Sequence, residues 1–108
     1  MSSHFVAVAR QDELSPGQMK RVGINNKRYL IARVKDEYFV VDDQCSHEDS
    51  SLYLGYLQDD KVHCSLHGSR FCLRTGQPQE EPADEPIGTY ALKLEAGQIW
   101  IDPTQRTN

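Results

Sequence analysis

Long apolar runs are missing from these 108 residues. Nowhere do the ~20 consecutive apolar residues of a membrane-spanning helix occur. A helical span is therefore excluded, and no membrane partner is expected. A basic stripe is missing too. Lys and Arg number 12 against 16 Asp and Glu, for a formal net charge of −4. Nothing gathers positive charge for a phosphate backbone, so nucleic acid is not an expected partner, and an anionic lipid surface is disfavoured for the same reason. Cysteine is scarce, with three residues, an odd count. That is no disulfide framework; the three read as ligands or buried thiols in a reducing compartment. The start, MSSHFVAVAR, lacks a basic stretch followed by an apolar one and lacks a twin-arginine pair. A cytoplasmic location is the expectation.

Sustained helical periodicity is also absent. Short β-rich runs separated by turn residues take its place. HFVAVA (4–9), MKRVGI (19–24), RYLIARV (28–34) and YFVVDD (38–43) read as strands. Pro16-Gly17, Asn25-Asn26 and the KDE segment punctuate them. GYLQ and KVHC flank Asp59-Asp60 as a second hairpin, and RFCL is a short strand ended by Thr75-Gly76. TYALKLE (89–95) and QIWID (98–102) pair around Ala96-Gly97. One helical turn fits at SSLYLG. The segment QPQEEPADEP (77–86) spaces Pro78, Pro82 and Pro86 by four and reads as an extended loop. The length fits one domain, 1–108, and the fold class is all-β, a sandwich or small barrel.

Two stretches concentrate metal-binding chemistry. Cys45-Ser46-His47 is a C-x-H pair, and Cys64-Ser65-Leu66-His67 is a C-x-x-H pair, with residues 48–63 between them. Each follows a strand and sits on a loop. Thiolate is a soft ligand, and imidazole suits iron, zinc and copper. Two of each can close one tetrahedral site or serve two metals. Zinc motifs usually run C-x2-4-C then H-x3-5-H, so the alternating order here departs from them. A zinc-stabilised interaction domain remains an alternative on the residues alone.

The two pairs, with HGSRFCLRTGQ (67–77), the proline loop and the closing hairpin, resemble the Rieske [2Fe–2S] family over nearly the whole chain. The resemblance implies an antiparallel β-sandwich with a small cluster-binding subdomain of two loops, approximately 43–54 and 64–76. It implies one [2Fe–2S] cluster per chain, with Cys45 and Cys64 on one iron and His47 and His67 on the outer one. Thiolates stabilise ferric iron more than neutral imidazoles do, so the added electron belongs on the histidine side, where a partner docks.

Quinol-oxidising members carry two further cysteines that form a disulfide. Ser50 and Leu66 stand at those positions, which points away from that class. High-potential members place a Ser and a Tyr hydroxyl against the cluster sulfurs. Ser69 keeps the first donor, and Phe71 replaces the second. A low potential within the Rieske range is the expectation. Small chains of this pattern resemble the ferredoxin components of bacterial multicomponent aromatic-ring-hydroxylating dioxygenases. The implied role is a one-electron carrier, not an enzyme by itself. The implied partners are a flavin-dependent ferredoxin reductase and a terminal oxygenase, and a monomer is expected. The alternative within the family is a small Rieske subunit of a reductase of the nitrite reductase type.

Other residues take blander readings. Cys72 alternates with Phe71 and Leu73 and reads as a small buried residue. His63 precedes Cys64, and on a strand it points to the opposite face. His4 has no partner pattern. Of Trp100 and Ile101, one faces the core. Arg70 and Arg74 lie near the second loop without an evident ligand. Glu80, Glu81, Asp84 and Glu85 form an acidic run that reads as a solvated loop. Glu48 and Asp49 follow His47 directly, are better docking candidates, and should lower the potential.

Overall fold

The structure is a computed structural model and describes residues 4–45, 51–64, 69–79 and 85–108. Nine strands occur among them: β1 (Val6–Arg10), β2 (Met19–Ile24), β3 (Lys27–Val34), β4 (Glu37–Asp42), β5 (Tyr56–Gln58), β6 (Lys61–His63), β7 (Arg70–Cys72), β8 (Tyr90–Glu95) and β9 (Gln98–Arg106). They form three antiparallel sheets, ordered β1-β9-β8, β2-β3-β4 and β5-β6-β7. The helical turn after the first Cys/His pair is a 3-10 turn at Leu52–Leu54, and a second lies at Gln11–Glu13.

Tight turns set the hairpin registers. Asn25 and Asn26 take φ of 51° and 66°, the pair of left-handed conformations that a two-residue β2–β3 hairpin needs and that Asn tolerates. The register runs Met19 opposite Ala32 to Ile24 opposite Lys27.

Strand β3 is the middle layer. Side chains alternate between faces, and here both faces are covered. Leu30 and Ala32 join a core with Val41, Leu52, Val62, Phe71, Leu73 and Ile87. Tyr29 and Ile31 join another with Leu14, Val40, Tyr90, Ile99 and Ile101. The β2-β3-β4 sheet thus lies between the terminal sheet and the small β5-β6-β7 sheet. A bridge from Val41 to Thr89 ties β4 to the terminal sheet. The result is the all-β antiparallel sandwich expected.

Two expectations are corrected, the extent of the last strand and the burial of Cys72, and the Trp100–Ile101 alternation is resolved between them. Strand β9 extends past residue 102 to Arg106, although Pro103 lies within it. The ladder shifts there: Ala91 pairs with Asp102, and Tyr90 pairs with Arg106. Proline has no ladder donor, and this bulge is where a strand tolerates one. Of the Trp100–Ile101 pair, Ile101 is the core residue. Trp100 lies on the outer face, its indole donating to Glu95 O at 3.2 Å and its ring beneath Lys93. Cys72 is only half-buried, because Phe71 and Leu73 take the inward positions.

Candidate metal centre

The first loop closes between two antiparallel partners, Gln44 and Ser51. Asp43 holds this neck. Its side chain is fully buried. Its Oδ2 accepts the Ser51 hydroxyl at 2.6 Å, its Oδ1 accepts the Tyr53 N–H at 3.0 Å, and its carbonyl accepts the Leu52 N–H at 2.6 Å. The Arg28 guanidinium lies 3.7 Å from Oδ2. Arg21 donates to Ser51 Oγ at 3.0 Å and stacks its guanidinium over the Tyr53 ring. A buried carboxylate is tolerated when hydrogen bonds and a counter-charge satisfy it, and Asp43 has both.

The second loop closes differently. The Cys64 N–H donates to Ser69 O at 2.7 Å, and His63 pairs with Arg70 across β6 and β7. Among the described residues no buried carboxylate takes part. The inward row of the small sheet is Leu57, Val62 and Phe71, which packs into the same core as both cysteines.

Cys45 and Cys64 are 2% and 1% exposed and belong to one core cluster, so the two thiols approach the same interior from neighbouring loops. No disulfide joins any of the three cysteines. Ser69 is fully buried, and its hydroxyl has no hydrogen-bond partner among the described residues. An unsatisfied buried hydroxyl costs roughly 1–3 kcal/mol. An acceptor beside Cys64 would relieve it, and inorganic sulfide is such an acceptor. Two buried thiols and a donor hydroxyl therefore suit a thiolate-ligated iron–sulfur group.

His47, His67, Glu48, Asp49, Ser50, Leu66, Glu80, Glu81 and Asp84 lie outside the described residues. Among the described residues no group of three or more His, Cys, Asp or Glu comes together. Glu85 is exposed. Arg74 forms a two-pronged pair with Glu37 at 2.7 and 2.6 Å and reaches Asp60 at 3.3 Å, a structural role. Burial would raise the Cys72 thiol, but hydrogen bonds to Thr75 and to the Arg74 backbone bring it below its ordinary value.

His63 lies on the outer face of the small sheet, opposite in direction to Cys64, as strand alternation requires. It is nevertheless only 6% exposed, because the Tyr56 ring stacks on it at 4.3 Å and 22°. Burial, and then the nearby charges of Arg70 and Lys61, hold its imidazole below its ordinary basicity. The Asp43 clamp and the Tyr56 stack were not anticipated. The adjacent acids of VVDDQC, at the end of an apolar strand, were the available signal for the clamp.

The Rieske [2Fe-2S] domain model matches residues 4–91. The biphenyl 2,3-dioxygenase ferredoxin component of Rhodococcus jostii (strain RHA1) is 39% identical over 95 residues, covering 88% of this chain and 89% of that protein. The ferredoxin of carbazole 1,9a-dioxygenase from Nocardioides aromaticivorans IC177 superposes with a TM-score of 0.89 at 28% identity, covering 94% of this chain and 99% of that one. A chain in the complex of reduced oxygenase and oxidised ferredoxin of carbazole 1,9a-dioxygenase superposes with a TM-score of 0.92 at 25% identity, covering 99% of this chain and all of that one.

Proposed function

Because this chain belongs to the Rieske [2Fe-2S] domain family, we propose that it carries single electrons from a flavin-dependent reductase to a terminal oxygenase. It is an electron carrier and not itself a catalyst. Cys45 and Cys64 would hold one iron, and His47 and His67 would hold the other. Residues 1–108 form one domain with cluster-binding loops at about 43–54 and 64–76, working as a monomer in the cytoplasm. The observation that carries the reading is the pair of buried thiols, each at the closed neck of a loop, in a chain that is similar over most of its length to a dioxygenase ferredoxin component.

When bound, the cluster supplies a one-electron couple that needs no bond making or breaking in the protein. The chain's own residues set its surroundings. Leu52, Val62 and Phe71 exclude water from the cysteine side. The Asp43 clamp fixes the backbone that presents Cys45, and the Cys64–Ser69 hydrogen bond fixes the second loop. The Ser69 hydroxyl, unpartnered among the described residues, would be available to donate toward a bound cluster's sulfur and so favour the reduced, more negative state. Phe71 offers no second hydroxyl, which keeps the potential low.

The test is metal and sulfide analysis of the purified protein and of Cys45→Ser, His47→Ala, Cys64→Ser and His67→Ala. The wild type should be red-brown with iron and acid-labile sulfide in equal amounts. Each variant should lose them while keeping its β-sheet circular dichroism. Colourless wild-type protein holding zinc would overturn the reading.

A further inference from the structure

The stretch 87–89 is pinned at every backbone polar group. The Ile87 N–H donates to Gly76 O at 2.9 Å, and its carbonyl accepts from the Asn108 amide at 2.8 Å. The Gly88 N–H donates to Asp42 Oδ2 at 2.7 Å, and its carbonyl accepts the Asp42 N–H at 2.9 Å. The Thr89 N–H donates to Asn108 Oδ1 at 3.1 Å, and its carbonyl accepts the Thr107 N–H at 2.8 Å. One side chain, Asn108, thus serves both Ile87 and Thr89. It also donates to Thr75 O at 2.9 Å and accepts from Arg106 Nε at 2.8 Å. A primary amide has two donor hydrogens and two acceptor lone pairs, and here all are used. Thr75 lies at the end of the second loop, and Ile87 follows the proline segment. The fit is close: a Cβ on Gly76 would lie 2.6 Å from Asn108 Nδ2 and 2.1 Å from Ile87 O. Gly76 also takes a φ of 77°, which glycine accepts without strain. Ile87 is 1% exposed and packs in the core that holds Cys45 and Cys64. Pro86 and Ile87 line a cavity of about 420 Å³ that Gln44 and Cys45 also line. The pose of Ile87 therefore sets how far solvent reaches toward Cys45.

We infer that Asn108 is a positioning residue for the electron-carrying centre: by tying Thr75 to Ile87 it holds Ile87 against the cysteine side and limits the water that reaches Cys45. The inference rests on the carrier reading above. Asn108 acts through Ile87, whose side chain shares a core with both thiols. Solvent exposure is one of the levers on the potential of an iron–sulfur group, because water favours the more negative, reduced state. A loosened Ile87 therefore raises the potential. It also opens the cysteine side to reagents that strip iron. Local opening of a stretch is governed by the hydrogen bonds that hold it, and Asn108 supplies those of the Ile87 carbonyl and the Thr89 N–H.

The experiment compares the iron-loaded wild type with Asn108→Ala and Asn108→Asp. Hydrogen exchange, read by mass spectrometry with electron-transfer fragmentation, follows the Ile87 and Thr89 amides. The reduction potential and the rate of iron loss to a chelator report the centre. Asn108→Ala should speed exchange of both amides by about tenfold. Iron loss should quicken with it and the potential should shift upward, while the β2–β3 hairpin keeps its protection. Asn108→Asp keeps the acceptor and loses both donors. It should speed exchange at Ile87 and leave Thr89 protected. Exchange at Ile87 that matches wild type in both variants would overturn the inference. So would faster exchange in Asn108→Ala at unchanged potential and iron loss, because the tie would then serve the fold alone. Wild-type protein lacking iron and sulfide would overturn the carrier reading and this role with it, whereas an unmoved potential in iron-loaded protein overturns the role alone.

Discussion

The two loop necks do the same task with different chemistry. Around Cys45 the neck is a charged clamp, in which one buried carboxylate collects a hydroxyl, a backbone N–H and a guanidinium. Around Cys64 it is a backbone hydrogen bond over an apolar floor, with one buried hydroxyl left over. The clamp draws partners from β2 and β3, so it fastens the first loop to the large sheet. The second neck belongs to the small sheet alone. Stability and potential should therefore separate between them. The first neck should govern whether the loops are held, and the second should govern what the held group experiences.

The largest effect is expected at the clamp. Asp43→Ala leaves Ser51 and Tyr53 without their acceptor and Arg28 without its counter-charge. Loss of a buried, hydrogen-bonded charge of this kind costs about 3 kcal/mol. Urea unfolding should show the midpoint falling, with iron content falling in step. Next is Gly55, which lies between the necks. A Cβ there would sit 1.7 Å from His63 O, in backbone that cannot give way easily. Gly55→Ala should cost about 2 kcal/mol or more by forced displacement, and the thermal midpoint would report it.

A smaller effect separates Asp43 from its neighbour. Asp42 faces away from the loop and accepts the Tyr90 hydroxyl at 2.6 Å and the Gly88 N–H at 2.7 Å. Burial, and then Asp42, push the Tyr90 hydroxyl above its ordinary 10.0, against the opposing pull of Lys27. The folded protein therefore holds this proton more tightly than the unfolded chain. The stabilisation is complete below pH 10.0 and is lost as the pH rises through the raised folded value. Tyr90→Phe should cost about 1 kcal/mol near neutrality. It should remove part of the alkaline loss of stability while leaving the cluster spectrum alone. The smallest change in stability should come at the second neck. Ser69→Ala should leave unfolding within about 0.5 kcal/mol, because the hydroxyl serves no described protein group. Loss of one donor to sulfur should nevertheless lower the potential by about 40 mV, the electrical equivalent of one net hydrogen bond. A variant that lost stability without changing potential would erase the contrast between the necks.

The same contrast shows what was readable in the chain. Asn25-Asn26 marked its hairpin because few residues accept positive φ twice in succession. The Cys/His pairs stood out because their ligand chemistry is written in residue types at short spacing. Asp43 was hidden because a carboxylate at a strand end looks like any turn acid. Its burial depends on Ser51, Arg21 and Arg28, which sequence order scatters and the sheets bring together. Trp100 and Ile101 alternate, which decides that one of them is inside but not which. Lys93 and the bulge at Asp102 settle it. Strand β9 ran past Pro103 because a bulge absorbed the missing donor, a local exception no propensity signals. His63 was placed correctly on the face away from Cys64, but its burial under Tyr56 required the β5–β6 register.

The central claim is a mixed cysteine and histidine [2Fe–2S] centre whose potential stays low because only one hydroxyl donor, Ser69, is available and Phe71 offers no second. A spin-resonance redox titration of the purified protein, at neutral and at alkaline pH, tests it most directly. The account predicts a rhombic signal that appears only on reduction at low potential and does not move with pH near neutrality. A potential well above zero that falls as the pH rises past neutral would contradict it, because the ligand imidazoles would then be titrating in a high-potential site.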